Sequence, residues 1–179
     1  MDIKGRNIAI IGGGESGVGA ALLGKKMGAN VFVSDAGALK EQYRKELLDA
    51  KIDFEESGHD FERIVASNYV IKSPGIPAQV TIFKELALKK VPVLSEIEFA
   101  SNFTNAKKVC ITGSNGKTTT TMLVYHIFKN AGLNVAFAGN IGKSLARQVS
   151  LSEPDYFIIE LSSFQLDDLQ TFRADVSIL

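Results

Sequence analysis

An α/β fold built on parallel sheets is what this sequence predicts, and three observations predict it. Short β-branched runs alternate with longer stretches of helical spacing along the whole chain. The runs are continuously apolar, as strands buried on both faces are. Two of them lead into glycine-rich turns that open a helix, at residues 12–17 and 113–118. Strands that alternate with helices in this way join by right-handed crossovers and lie parallel.

The strand-like runs are residues 7–11, 31–34, 69–72, 91–94, 108–112, 135–138, 156–160 and 176–179. The helix after the first turn carries Val18, Ala21 and Leu22 on one face and stops near Gly28. The helix after the second carries Leu123, Ile127 and Ala131 at i, i+4, i+8, with Val124 and Phe128 beside them, and stops at Gly132. Two glycine turns on two strand–helix frames predict two domains, residues 1–95 and 96–179. Between them, Ser95 followed by Glu98 has the spacing of a capping box. Residues 175–179 read as a buried strand in which the sequence stops, so we expect a piece of a longer protein.

Composition narrows the functional classes. The 179 residues suffice for one sizeable or two small domains, and 45% hydrophobic with 22% charged residues is a globular composition. Twenty basic residues balance twenty acidic ones, which gives no support to a nucleic-acid or membrane-surface partner. One cysteine, Cys110, forbids an intramolecular disulfide and fits a cytoplasmic location. It lies in a strand and reads as a buried small hydrophobe. The opening residues lack the apolar stretch of a signal peptide. His59 sits in a polar stretch and is expected to face solvent; His126 is expected to be structural. Two histidines and one cysteine, far apart, do not predict a zinc site.

Gly12, Gly14 and Gly17 satisfy Gly-x-Gly-x-x-Gly after a strand, and Asp35 follows Gly17 by 18 residues. Such a turn lets a phosphate approach the backbone at a helix N-terminus, and the acid suits ribose hydroxyls. The same glycines could serve strand–helix packing alone. Residues 73–77, Ser-Pro-Gly-Ile-Pro, form either a ligand edge at a strand's carboxyl end or an ordinary turn. In the second turn Lys117 and Thr118 follow Gly116. Backbone N–H groups there would cradle phosphates, the lysine would reach the terminal ones, and the threonine would ligate Mg²⁺. The usual loop has a glycine five residues before Gly116; Ile111 stands there, and Gly113 is the first glycine. Glu160, at the end of a neighbouring strand, is either an oxygen ligand for that metal or a solvated carboxylate.

The run Ile111-Thr112-Gly113-Ser114-Asn115-Gly116-Lys117-Thr118-Thr119 resembles the shortened phosphate loop of the Mur ligases and the related folylpolyglutamate synthases. Residues 160–166, Glu-Leu-Ser-Ser-Phe-Gln-Leu, resemble the segment of that family's D-glutamate-adding member, as do residues 138–142 and 73–76. The resemblance covers essentially the whole chain. It implies a Rossmann-like UDP-substrate domain over residues 1–95, then the first part of a P-loop ATPase central domain over 96–179. It implies a cytoplasmic enzyme of peptidoglycan precursor synthesis, monomeric when whole. ATP would phosphorylate the carboxylate of UDP-N-acetylmuramoyl-L-alanine, and D-glutamate would attack the acyl phosphate. Catalysis would rest on Lys117 and Glu160, ATP binding on Gly113, Ser114, Asn115, Gly116, Lys117, Thr118 and Thr119, and Mg²⁺ on Thr118 and Glu160. Glu15, Ser16, Asp35, Ser73, Gly75, Asn140, Ser162 and Gln165 would meet the UDP substrate. The family's later segments, including a carbamylated lysine and a C-terminal domain, have no counterpart here, so the chain alone is expected to be inactive. The alternative is an NAD(P)-dependent oxidoreductase built on the first turn and Asp35.

Overall fold

The computed structural model describes residues 1–76 and 81–179. Strands β1 (Asn7–Ile11), β2 (Asn30–Ser34), β3 (Asp53–Glu55), β4 (Tyr69–Lys72) and β5 (Val93–Ser95) form one parallel sheet in the order β3-β2-β1-β4-β5. Helices α1 (Glu15–Lys26), α2 (Glu41–Asp49), α3 (Phe61–Val65) and α4 (Thr81–Leu88) lie in its crossovers, and α5 (Glu96–Ser101) follows β5. Strands β6 (Lys107–Ile111), β7 (Val135–Gly139), β8 (Tyr156–Glu160) and β9 (Val176–Ile178) form a second parallel sheet in the order β7-β8-β6-β9, with α6 (Lys117–Asn130), α7 (Leu145–Leu151) and α8 (Ser163–Asp167). In each sheet the strand that feeds a glycine turn has neighbours on both sides. The turn therefore opens into the crevice where strand order reverses, the usual ligand position in such sheets.

Strand period two explains the layering. Ile8 and Ile10 face one core, while Ala9 and Ile11 face another across the first sheet. In the second sheet Cys110, Phe157 and Ile159 share the core of Ile8 and Ile10, whereas Val109, Ile111 and Ile158 face outward beneath α6. One core thus runs from sheet to sheet through α1, α5 and α7. Helix α1 meets α7 at Gly19, where an added Cβ would stand 2.2 Å from Ser144 Oγ.

Helix α5 ties the halves by two buried carboxylates. The Ser95 hydroxyl accepts from Glu98 N at 3.2 Å, which is half of the expected capping box. The Glu98 side chain does not turn back to complete it. It accepts instead from the Thr171 hydroxyl and from the N–H groups of Gln170, Thr171 and Phe172. Burial opposes its charge, but these four donors outweigh burial and hold the pKa below the usual carboxylate value. Glu96 is the opposite case. It accepts from Ala146 N on α7, and its second oxygen has no partner among the described residues. Burial, partly offset by that N–H and reinforced by the Glu15 charge, pushes its pKa up to about 7.

Several expectations need correction. Strand β3 is absent from the expected strands: Asp-Phe-Glu is a short polar edge, not an apolar run. Strand β9 is not buried. It pairs with β6 at the sheet edge, and Val176 is 50% exposed. Helix α6 packs through Thr121, Val124, Tyr125 and Phe128, leaving Leu123, Ile127 and Ala131 on the open face. Apolar residues surround this helix, so periodicity does not choose its inner side. His126 is exposed and bonds only to Asn130 among the described residues. His59 is half-buried instead of fully solvated; its Nδ1 lies 2.6 Å from the hydroxyl of fully buried Ser34. Cys110 is buried as expected, and burial pushes its thiol up to about 12. No described helix is long and apolar enough to cross a membrane.

Two outcomes are expected. Gly19→Ala forces α1 and α7 apart and lowers stability by about 1–3 kcal/mol, as overpacking does; urea unfolding at an unchanged midpoint would show that the close crossing is not required. For Glu96, the folded pKa of about 7 lies above the ordinary 4.5, so the folded state binds the proton more tightly. Stability then falls as pH rises from 4.5 to 7. Glu96→Gln removes that fall, measured by thermal unfolding across the interval; an equal fall in the variant would assign it to other groups.

Candidate functional site

The three glycines of the first turn have separate reasons. Gly12 has φ +95°, a left-handed conformation that side chains rarely adopt. A Cβ at Gly17 would meet the Gly12 carbonyl at 1.8 Å, so this glycine serves strand–helix packing. A Cβ at Gly14 would meet nothing within 4 Å, because Gly14 fronts an open cleft. Packing thus accounts for Gly17, while Gly14 borders open space. Asp35 is engaged locally: one carboxylate oxygen accepts from Gly13 N at 2.6 Å and the other from Gly37 N at 2.8 Å.

That cleft, about 310 Å³, lies at the carboxyl ends of strands from both sheets. The first half contributes Gly14, Glu15, Ser16, Ser73 and Pro74; the second contributes Gly139, Asn140, Gly142 and Gln165. The Ser73 hydroxyl donates to the Gly12 carbonyl at 3.0 Å, locking the two loops of the first half together. Gln165 is held by a full capping box with Ser162, which starts α8. Gly75 is left-handed at φ +83° and borders open space; Pro77, the end of the expected loop, lies outside the described residues. Asp35, Gly75 and Ser162 do not line this cleft, whereas Glu15, Ser16, Ser73, Asn140 and Gln165 do. A larger cleft of about 530 Å³ opens near Lys26, Phe103 and Tyr156, at the amino ends of β6 and β8, and holds none of the expected residues.

The phosphate loop is built at the end of β6. Gly113 has φ +137°, and Gly116, at φ +75°, is the N-cap of α6. The intervening Ser114 and Asn115 expose their backbone at the helix mouth. Lys117 folds back so that its ammonium donates to the Gly113 carbonyl at 2.7 Å. The Thr118 hydroxyl donates to Glu160 Oε2 at 2.8 Å. Thr119 follows on the exposed side of the first turn. Glu160 is 1% exposed, so it is not a solvated strand end. Its other oxygen, Oε1, accepts from the Asn140 amide at 2.8 Å. Asn140 N also donates to the Glu160 carbonyl at 2.9 Å, and a Cβ on the preceding Gly139 would reach that carbonyl at 2.2 Å. Asn140, Glu160 and Thr118 therefore form a continuous hydrogen-bonded link from the cleft to the phosphate loop. A hydroxyl and a carboxylate side by side are hard oxygen donors of the kind Mg²⁺ accepts beside phosphates and water. The residues present fit that ion.

Sequence reasoning missed three charged pairs that join distant elements. Arg147 Nε donates to Glu15 Oε1 at 2.7 Å, and its Nη1 donates to Glu46. Burial opposes the Arg147 charge, but the bonds and charges of Glu15 and Glu46 outweigh it and raise its pKa. In a separate cleft beside Phe83 and Leu94, Lys72 pairs with Asp168 at 2.8 Å, joining β4 to the end of α8. None of these pairings has a local sequence signal, since the partners lie far apart in the chain.

Comparison with known proteins assigns both halves to one family. Residues 7–82 match the family model of the MurD N-terminal domain, and residues 111–179 match that of the Mur ligase middle domain. The UDP-N-acetylmuramoylalanine--D-glutamate ligase of Bacteroides fragilis is 55% identical over 97% of this chain and 39% of its own length. That of Bacteroides thetaiotaomicron is 57% identical over the same shares. That of Porphyromonas gingivalis is 51% identical over 100% of this chain and 40% of its own. The chain thus spans 39–40% of the length of these relatives. Among solved structures, the UDP-N-acetylmuramate:L-alanyl-gamma-D-glutamyl-meso-diaminopimelate ligase from Neisseria meningitides superposes with a TM-score of 0.64 at 20% identity, over 98% of this chain and 60% of that one. The UDP-N-acetylmuramate-alanine ligase MurC from Thermotoga maritima gives 0.57 at 20% identity, over 88% and 37%. These two likenesses concern the fold. With both halves matched by its models in order, the chain belongs to the Mur ligase family.

Proposed function

We propose that this chain carries the nucleotide-sugar and ATP sites of an enzyme that joins D-glutamate to UDP-N-acetylmuramoyl-L-alanine in peptidoglycan precursor synthesis. The observation that carries the reading is the Asn140–Glu160–Thr118 link. It couples a cleft shared by both halves to a loop shaped for a triphosphate. A ligase that activates a carboxylate with ATP needs these two sites side by side, because reacting groups held together avoid a large entropic cost.

In this reading the N–H groups at the start of α1 take the UDP diphosphate, with Glu15 and Ser16 at that turn. Asp35 and Gly75 lie toward the uracil, while Ser73, Asn140, Ser162 and Gln165 bound the muramoyl end. Gly113, Ser114, Asn115, Gly116, Thr118 and Thr119 surround the ATP phosphates. The Lys117 ammonium is the cation nearest the terminal ones and offsets charge that grows during transfer. Mg²⁺, held by Thr118 and Glu160, would neutralise phosphate oxygens. The substrate carboxylate becomes an acyl phosphate, and the D-glutamate amine displaces phosphate, leaving the amide and ADP. A cytoplasmic location and a monomeric whole protein accompany this reading. The chain alone is expected not to complete the ligation. The oxidoreductase alternative finds no support, since both family models and the curated relatives are Mur ligases.

A parallel titration tests the proposal. UDP-N-acetylmuramoyl-L-alanine raises the melting temperature of the chain and NAD does not, because a ligand that binds only the folded state stabilises it. Stabilisation by NAD alone would overturn the reading. In the whole protein, Lys117→Met lowers kcat by at least about 10²-fold while leaving the affinity for the UDP substrate within about twofold; an unchanged kcat would remove Lys117 from the reaction.

A further inference from the structure

Glu15 is out of place for an anion site. It is the first residue of α1 and lines the cleft that the proposed diphosphate enters. A carboxylate in a first helical turn is favoured by the helix dipole, but it competes there with any bound anion for the same field. Two like charges a few ångströms apart repel by about 1–4 kcal/mol across the range from water to a protein surface. Left free, Glu15 would work against the ligand that the turn is built to bind.

The structure shows where the carboxylate goes. Glu15 Oε1 accepts from Arg147 Nε at 2.7 Å and from Ser144 N at 3.1 Å, both at the start of α7. Ser144 Oγ donates to the Glu15 carbonyl at 3.4 Å. The Arg147 side chain is only 9% exposed, and Glu46 on α2 holds the other end of its guanidinium. A planar fork fixed at both ends has little freedom to turn toward the cleft. Gly19 permits this contact by letting α7 lie against α1.

We propose that Arg147 is a positioning residue for the substrate diphosphate: it holds the Glu15 carboxylate against α7 and neutralises it, so that the first turn of α1 meets the anion through its N–H groups. The second half of the chain thereby prepares the anion site of the first. This rests on the functional reading above, and the test separates the two.

Isothermal titration of the chain with UDP-N-acetylmuramoyl-L-alanine provides the readout. Failure of the unmodified chain to bind would overturn the functional reading itself. Given binding, Arg147→Met weakens it about tenfold, and adding Glu15→Gln to that variant restores most of the loss by removing the freed charge. A role confined to holding the halves together predicts no such rescue, so equal weakening in the single and double variants would overturn the inference. A second pair leaves Arg147 in place in case its loss prevents folding. Glu15→Asp keeps the charge but shortens the side chain out of reach, and it weakens binding more than Glu15→Gln. The reverse order would also overturn the inference.

Discussion

Helices α1 and α7 cross at Gly19 with almost no space between them, and the rest of the molecule is arranged around that contact. A side chain there would hold the two sheets apart. Without one, α1, α5 and α7 form a single apolar layer shared by both sheets, and Ile10 of the first and Phe157 of the second enter the same core. The carboxyl ends of both sheets then face one cleft. A cleft lined by both halves thus follows from a packing requirement at one glycine.

Buried carboxylates turn that packing into a defined geometry. Four donors offset the burial of Glu98, while Glu96 lies half satisfied against α7 and titrates near neutrality. Glu160 joins the cleft to the phosphate loop by one bond from each of its oxygens. Glu15 is turned from a potential obstacle into a tether. All four act across elements distant in sequence, and local helix stability alone accounts for none of them. Partnered in this way, carboxylates fix which elements meet more than they add to stability.

Much of this architecture is legible in the amino-acid sequence, because the signals that carry it are local. Short, continuously apolar strands announce parallel sheets, and the two glycine-rich turns announce where a helix opens after a strand. Edge strands are harder to recognise. Asp-Phe-Glu in β3 lacks an apolar run, and β9 reads as buried because its residues are apolar although its place is not. The inner side of α6 is ambiguous because Met122, Leu123, Ile127 and Phe128 together encircle the helix. The capping spacing at Ser95 is correct for the hydroxyl and misleading for Glu98, whose partners lie more than 70 residues away. Arg147 is invisible for the same reason: a helix of ordinary composition gives no sign of the carboxylates it will meet.

In the proposed function one nucleotide-sugar ligand is held by both halves at once. A titration of the ¹⁵N-labelled chain with UDP-N-acetylmuramoyl-L-alanine, followed by backbone amide shifts, tests this directly. Ser16 and Ser73 are expected to move together with Asn140 and Gln165 on a single binding curve. Shifts confined to the first half, with Asn140 and Gln165 unmoved, would contradict it.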